Sequence, residues 1–323
     1  MHFFLRFSVA YFAVAVIVSF GLRGEVSLAR FIVSTIELGR AAAGSAGLPM
    51  LAAATIVLLA SGRDEMRIRL RRAGHATLGL VFFMTAFFLM KTSMPLVRPY
   101  WADAMLADLD ALLHLGVDPW ITAHAIGDRL GGVVAWDVAY LDVWGAFAVL
   151  WPALLCLIDG DVARVRRHVT LYIFAWVALG NAAAFAVLSA GPVYLHRLTE
   201  DDRFHGLTGT LRDTGVAEGR IGRTQDLLWT YFAEGGQAFG SGISAFPSVH
   251  VAMACAPMLY AFDRARWLSG PAAAYLAIVL WLSVATGYHY AVDGYASIAA
   301  MLIAHAVLRR RGAERGVPDA LPA

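Results

Sequence analysis

The sequence has little charge. Only 15% of its 323 residues are Asp, Glu, Lys or Arg, while 59% are hydrophobic. A soluble domain of this length carries far more charge, which excludes one large water-soluble core as the reading of this chain. Lysine is almost missing: 25 arginines stand beside the single Lys91. Cysteine is scarce too. Cys156 and Cys255 both fall inside apolar runs and read as small core residues, and two isolated thiols make no metal motif. No metal site and no cofactor is expected. The net charge is small, at +2, and no nucleic-acid partner is expected. There is no internal repeat, Pro-rich linker or low-complexity tail.

What the chain does have is apolar length. Runs of about 20 residues recur, each able to cross a hydrocarbon core of roughly 30 Å. They are continuous rather than alternating, so they read as helices. The expectation is an all-α integral membrane protein of about eight transmembrane helices. The spans fall near 7–22, 47–61, 75–94, 138–158, 169–190, 247–263, 270–288 and 291–308. The run from Phe7 to Leu22 lacks a small-x-small cleavage site and is followed by Arg23, so it reads as a retained first helix rather than a signal peptide. Residues 24–46 mix apolar runs with Glu25, Arg30, Glu37 and Arg40 and read as an amphipathic interfacial segment. The organisation expected is 1–74 as N-terminal helices and interfacial segment, 75–310 as the main membrane domain, and 311–323 as a cytoplasmic tail.

Arginine gives the orientation. Arg63, Arg67, Arg69, Arg71 and Arg72 follow the second span; Arg164, Arg166 and Arg167 follow the fourth. Arg264 and Arg266 follow the sixth; Arg309, Arg310, Arg311 and Arg315 follow the eighth. With eight spans all four groups share one side, which is then cytoplasmic and holds both termini. The setting expected is a bacterial inner (plasma) membrane. Two long loops, 95–137 and 191–246, fall on the other, extracytoplasmic side.

Two short stretches on that side carry chemistry. Pro247-Ser248-Val249-His250 opens one span, with Pro247 suited to the first helical position. Free N–H groups and the positive end of the helix dipole favour an anion there, and Ser248 can add a hydroxyl donor. His289-Tyr290-Ala291-Val292-Asp293 precedes the last span. His289 and Asp293 are one helical turn apart, and a carboxylate on one imidazole nitrogen frees the other for attack. A helical hairpin between His250 and His289 brings the two imidazoles together.

The stretches 240–250 (Gly-Ser-Gly-Ile-Ser-Ala-Phe-Pro-Ser-Val-His) and 286–293 (Thr-Gly-Tyr-His-Tyr-Ala-Val-Asp) resemble the second and third signatures of the type 2 phosphatidic acid phosphatase superfamily. The closer likeness is to its inositolphosphotransferase branch, which includes inositol phosphorylceramide synthases. The resemblance is strong over 240–294 and looser over 85–200, where 110–120 (Asp-Ala-Leu-Leu-His-Leu-Gly-Val-Asp-Pro-Trp) is also similar to that branch. It implies a six-helix phosphatase/phosphotransferase-like core and metal-independent chemistry on a phospholipid or other lipid phosphate. The acceptor would be water, a lipid alcohol or a polyol. It assigns His289 as the residue that takes the phosphoryl group, His250 as proton donor to the leaving oxygen, and Asp293 as the group that orients His289.

Two departures bear on the phosphate site. Six residues before His289, where the phosphatase pattern has arginine, stands Ser283, and the sphingolipid phosphotransferase branch also lacks that arginine. The first signature, Lys-x6-Arg-Pro, is matched by Lys91 to Arg98-Pro99, but about 150 residues and two spans before Pro247. By span order the equivalent place is Gly191 to Arg197. Ser248, Lys91, Arg98 and Arg197 are therefore the candidate phosphate-binding residues. Two other classes compete: an intramembrane serine protease using Ser241 or Ser244 with His289, and a non-enzymatic lipid transporter. The protease dyad should lie deep in the bilayer, and a transporter of the common kind shows inverted repeats; neither feature is present in the sequence.

Overall fold

The computed structural model describes residues 1–24, 46–236 and 240–314, with residues 33, 36, 37, 39, 40 and 44 between the first two stretches. Most of the amphipathic segment expected at 24–46, and most of the tail, lie outside the described residues. In chain order the helices are α1 (His2–Arg23), α2 (Gly47–Leu59), α3 (Arg63–Val97), α4 (Asp103–Leu113), α5 (Pro119–Arg129), α6 (Val133–Ile158) and α7 (Val162–Ala186). After these come α8 (Pro192–Thr199), α9 (His205–Asp213), α10 (Arg220–Ala233), α11 (Val249–Arg264), α12 (Ser269–Ala285) and α13 (Ala291–Glu314). No strand occurs among the described residues. The protein is an all-α integral membrane protein.

Among the described residues six helices, α1, α3, α6, α7, α12 and α13, are long and apolar enough to cross a membrane. The eight-span expectation narrows at the other two. The 13 residues of α2 and the 16 of α11 reach about 20 and 24 Å at 1.5 Å per residue, short of a hydrocarbon core of roughly 30 Å. For α11 the reason is its place. It packs against α6, α7, α12 and α13, and Val251 to Pro257 are all buried. Protein surrounds it, so lipid thickness does not set its length.

The basic stretch after α2 reads from sequence as a loop, yet it is the start of α3. Asp64 and Glu65 lie in its first turn, where the helix dipole favours acid. Glu65 accepts from Arg69 Nε at 3.1 Å, one turn on. Arg69 then reaches the carbonyl of Leu157 in the last turn of α6, and Arg72 that of Gly160 just beyond it. The arginine groups converge at this end. Asp159 accepts from Arg164 at 2.6 Å, and Asp263, whose side chain is covered, accepts from Arg167 at 3.1 Å and faces Arg309. Two histidines, His168 and His305, hold the same Asp263 oxygen at 3.0 and 2.9 Å. These three side chains are close enough to one another to ligate a cation. Asp263 is already matched by the guanidinium of Arg167, and the group reads as the ion-pair node that ties α7, α11 and α13.

At the opposite end the two stretches expected as loops are largely helical. Pro119 takes the first position of α5, after the extended Asp118. Arg203, just before α9, donates to Asp108 at 2.6 Å and to Asp118 at 2.9 Å, joining the second stretch to α4 and α5. Between these surface helices lie the start of α11 and the segment joining α12 to α13, which carry His250 and His289.

Candidate active site

Local rules place the first histidine. Ser248 is the N-cap of α11: its Oγ accepts from the Val251 N–H at 3.2 Å, and its own N–H donates to the Asp293 carbonyl at 3.2 Å. His250 follows in the first turn. After Arg264 the chain turns through Arg266–Leu268 and returns as α12. Thr286 to Tyr290 then form a tight connection. Its Gly287 takes a positive φ of 73°, and the His289 N–H donates to the Ser283 carbonyl at 3.1 Å.

The hairpin puts His250 Nδ1 at 3.1 Å from His289 Nε2. The other nitrogen of His289, Nδ1, lies 2.8 Å from the carbonyl oxygen of Ala245. A carbonyl only accepts, so Nδ1 carries the proton and Nε2 presents a lone pair. His250 Nδ1 must then be the donor across the pair. This tautomer follows from the hydrogen-bond network.

Asp293 is buried. Its Oδ2 accepts from the Tyr290 N–H at 2.9 Å and lies 3.5 Å from His289 Nδ1. The nearer acceptor of that proton is therefore the Ala245 carbonyl, with the carboxylate behind it. Ala245 was not legible in the sequence, because a backbone carbonyl has no residue-type signature.

Both histidines open onto a cavity of about 280 Å³. Lys91 is the lysine or arginine in its lining, and Phe87, Trp144, Trp176 and Tyr194 make much of the rest. The Lys91 ammonium lies 5.5 Å from the Phe87 ring centroid. Among the described residues no carboxylate pairs with it. The loop before α11 closes over this side chain at Gly242, where φ is 97° and a Cβ would stand 2.9 Å from Lys91 Cγ. Gly191 does the same beside the second motif: with φ 97°, a Cβ there would meet the Tyr288 carbonyl oxygen at 2.4 Å.

The other candidate cations lie outside this cavity. Arg98 sits 4.9 Å over the Trp101 ring and donates to the Ala186 carbonyl at 3.0 Å. Arg197 pairs with Asp226 at 2.7 Å and covers Trp229. Ser248 is buried as a cap, without lining the cavity.

Aromatic rings frame His250. Trp144 stacks on it at 4.1 Å between centroids and donates its Nε1–H to the His250 carbonyl at 2.9 Å. Tyr140 stacks at 5.0 Å, and its hydroxyl donates to Ser283 Oγ at 3.3 Å. The place where the phosphatase pattern has arginine is thus taken by a serine–tyrosine pair. Tyr140 lies in a turn of π geometry, Ala139–Val143, at the start of α6. From sequence Tyr140 and Trp144 look like an ordinary apolar stripe, so their role was not legible.

A family model for the PAP2 superfamily matches residues 104–307. The match takes in His250, His289 and Asp293 and leaves Lys91 and Arg98 outside. No curated protein and no solved structure matches the chain.

Proposed function

The chain belongs to the PAP2 superfamily, and from that premise we propose that it moves or removes the phosphoryl-bearing headgroup of a membrane lipid through a phosphohistidine on His289. The observation that carries this reading is the 3.1 Å contact between His250 and the lone-pair nitrogen of His289. The superfamily supports phosphatase or phosphotransferase chemistry in general; the residue roles are our assignment.

A phosphorus atom entering between the imidazoles replaces their mutual hydrogen bond. His289 Nε2 forms the P–N bond while the bond from phosphorus to the leaving oxygen breaks. The Nδ1 proton of His250 passes to that oxygen. An acceptor hydroxyl, from water, a lipid alcohol or a polyol, then attacks phosphorus and gives its proton to His250, and the P–N bond breaks. His289 becomes cationic while it carries the phosphoryl group, and the Ala245 carbonyl and Asp293 stabilise that charge. Lys91 is the cation for the phosphoryl oxygens.

A transferase of the inositolphosphotransferase kind is the preferred form, because Ser283 and Tyr140 stand where a phosphatase would place arginine. A serine-protease dyad is disfavoured because the atom that meets His289 Nε2 is a nitrogen of His250, not a serine oxygen.

The mechanism is tested by His250→Ala with two substrates. It should lose about 10²-fold or more on short-chain phosphatidic acid, whose leaving alkoxide needs a proton. It should lose far less on 4-nitrophenyl phosphate, whose leaving group does not. Equal losses on both would remove His250 as the acid.

We place the site on the extracytoplasmic side, with both termini in the cytoplasm, because the arginine groups gather at the opposite end. In a background lacking Cys156 and Cys255, a cysteine introduced beside Lys91 should react with a membrane-impermeant thiol reagent added to intact cells. One introduced at Arg69 should not, and its labelling would reverse the orientation.

A further inference from the structure

α4 has two unlike faces. Leu112 and Leu113 on its outer side are 75% and 56% exposed, as suits a helix lying at a bilayer surface. Its inner side carries Leu106 and Ala107 and two carboxylates, Asp103 and Asp110, about two turns apart and only 5% and 3% exposed. A buried carboxylate is costly unless its oxygens are hydrogen-bonded. Burial pushes both carboxyls up from their ordinary range, and the N–H groups they accept pull them back.

Those N–H groups belong to the active-site backbone. Asp110 accepts from Ala291 N at 2.9 Å through Oδ2 and from Val292 N at 2.9 Å through Oδ1. It is thus the cap of α13, supplied by a helix far away in sequence, and it grips the two residues that follow His289-Tyr290. Asp103 accepts from Ala190 N at 2.9 Å and Gly191 N at 2.8 Å. It also accepts from the Tyr290 hydroxyl at 3.1 Å. Gly191 in turn lies against the Tyr288 carbonyl. The residues on both sides of His289 are therefore fastened to one surface helix.

We propose that Asp103 and Asp110 are positioning residues that hold the His289 segment at the depth and angle from which Nε2 faces His250. This rests on the reading of His289 as nucleophile. The imidazole itself makes no contact with either carboxylate; both act through the backbone.

Asparagine tests this with little change of shape. It offers one acceptor oxygen where Asp110 uses two, and turns an NH₂ group toward an N–H. Asp110→Asn and Asp103→Asn should each lower kcat by about tenfold or more on 4-nitrophenyl phosphate, with KM within about twofold, since misplacement of a reacting atom costs rate rather than affinity. Asp110→Glu, which keeps two acceptor oxygens, should recover part of the loss. Independently of turnover, hydrogen exchange on the full chain in detergent micelles should speed by about tenfold or more at the amides of 289–293 in Asp110→Asn, with α11 unchanged. Unchanged exchange at 289–293, or acceleration spread over all helices, would overturn the clamp. Full activity of His289→Ala would instead overturn the nucleophile assignment, and the exchange result would stand apart from it.

Discussion

His289→Ala abolishes turnover, by about 10⁴-fold or more, because no other side chain at the site presents a lone pair to the entering phosphorus. His250 is the nearest nitrogen, and in the resting pair it holds a proton where His289 holds none. The loss should appear in kcat and not only in KM. Quenching wild-type protein with alkaline detergent during turnover of radiolabelled phosphatidic acid should trap a base-stable label that acid then releases, and His289→Ala should trap none. Asp293→Asn should lose less, because the Ala245 carbonyl at 2.8 Å still fixes the tautomer. A stably folded His289→Ala protein with normal activity would end the phosphohistidine account.

Lys91→Met is expected to lower kcat/KM by roughly 10²-fold or more, the range of a lost donor to developing charge in a water-poor site. Among the described residues the lining of the cavity brings no second lysine or arginine to share the work. Lys91→Arg should fail to restore full activity. The longer, planar head must thread beneath Gly242, where the lysine stem already passes closely. Arg98→Ala and Arg197→Ala should change kcat/KM by about fivefold or less, since both lie outside the cavity, Arg98 on the Ala186 carbonyl and Arg197 in an exposed ion pair worth at most about 1 kcal/mol. Kinetics of the four variants at matched protein levels make the comparison. A large loss at Arg197 with none at Lys91 would move the phosphate to the other end of α8.

The first signature shows where sequence reasoning reached and where it stopped. Lys91 and Arg98 match it as a pair, and two turns of one helix separate them. A helical spacing of seven would keep them on one face, but Arg98 is the extended C-cap of α3, so Lys91 faces the cavity while Arg98 turns to Trp101. Letters alone did not decide between the pair and Arg197, because the choice depends on which segments a loop 150 residues later covers. The two histidines were easier. Each sits at the end of an apolar run, and a hairpin is the simplest path over the 39 residues between them. The helical start of α3 was missed because arginines broke the apolar pattern, although Glu65 and Arg69 at i and i+4 carried the signal. The helices α4 and α5 were missed because each is only 11 residues long and aspartates break its apolar pattern. Asp110 is buried, and the Ala291 and Val292 N–H groups that it accepts from explain why.

The length of α3 also fixes a depth. Arg69 and Lys91 are 22 residues apart on one continuous helix, about 33 Å along its axis. That is close to the thickness of the hydrocarbon core, roughly 30 Å. On the orientation we propose, with Arg69 and its neighbours at one boundary of that core, the Lys91 ammonium stands at the other, just beneath the phosphates of the lipids in that leaflet. Such a lipid can slide in sideways with its chains still among their neighbours, so no step of pulling it out of the bilayer has to precede the chemistry.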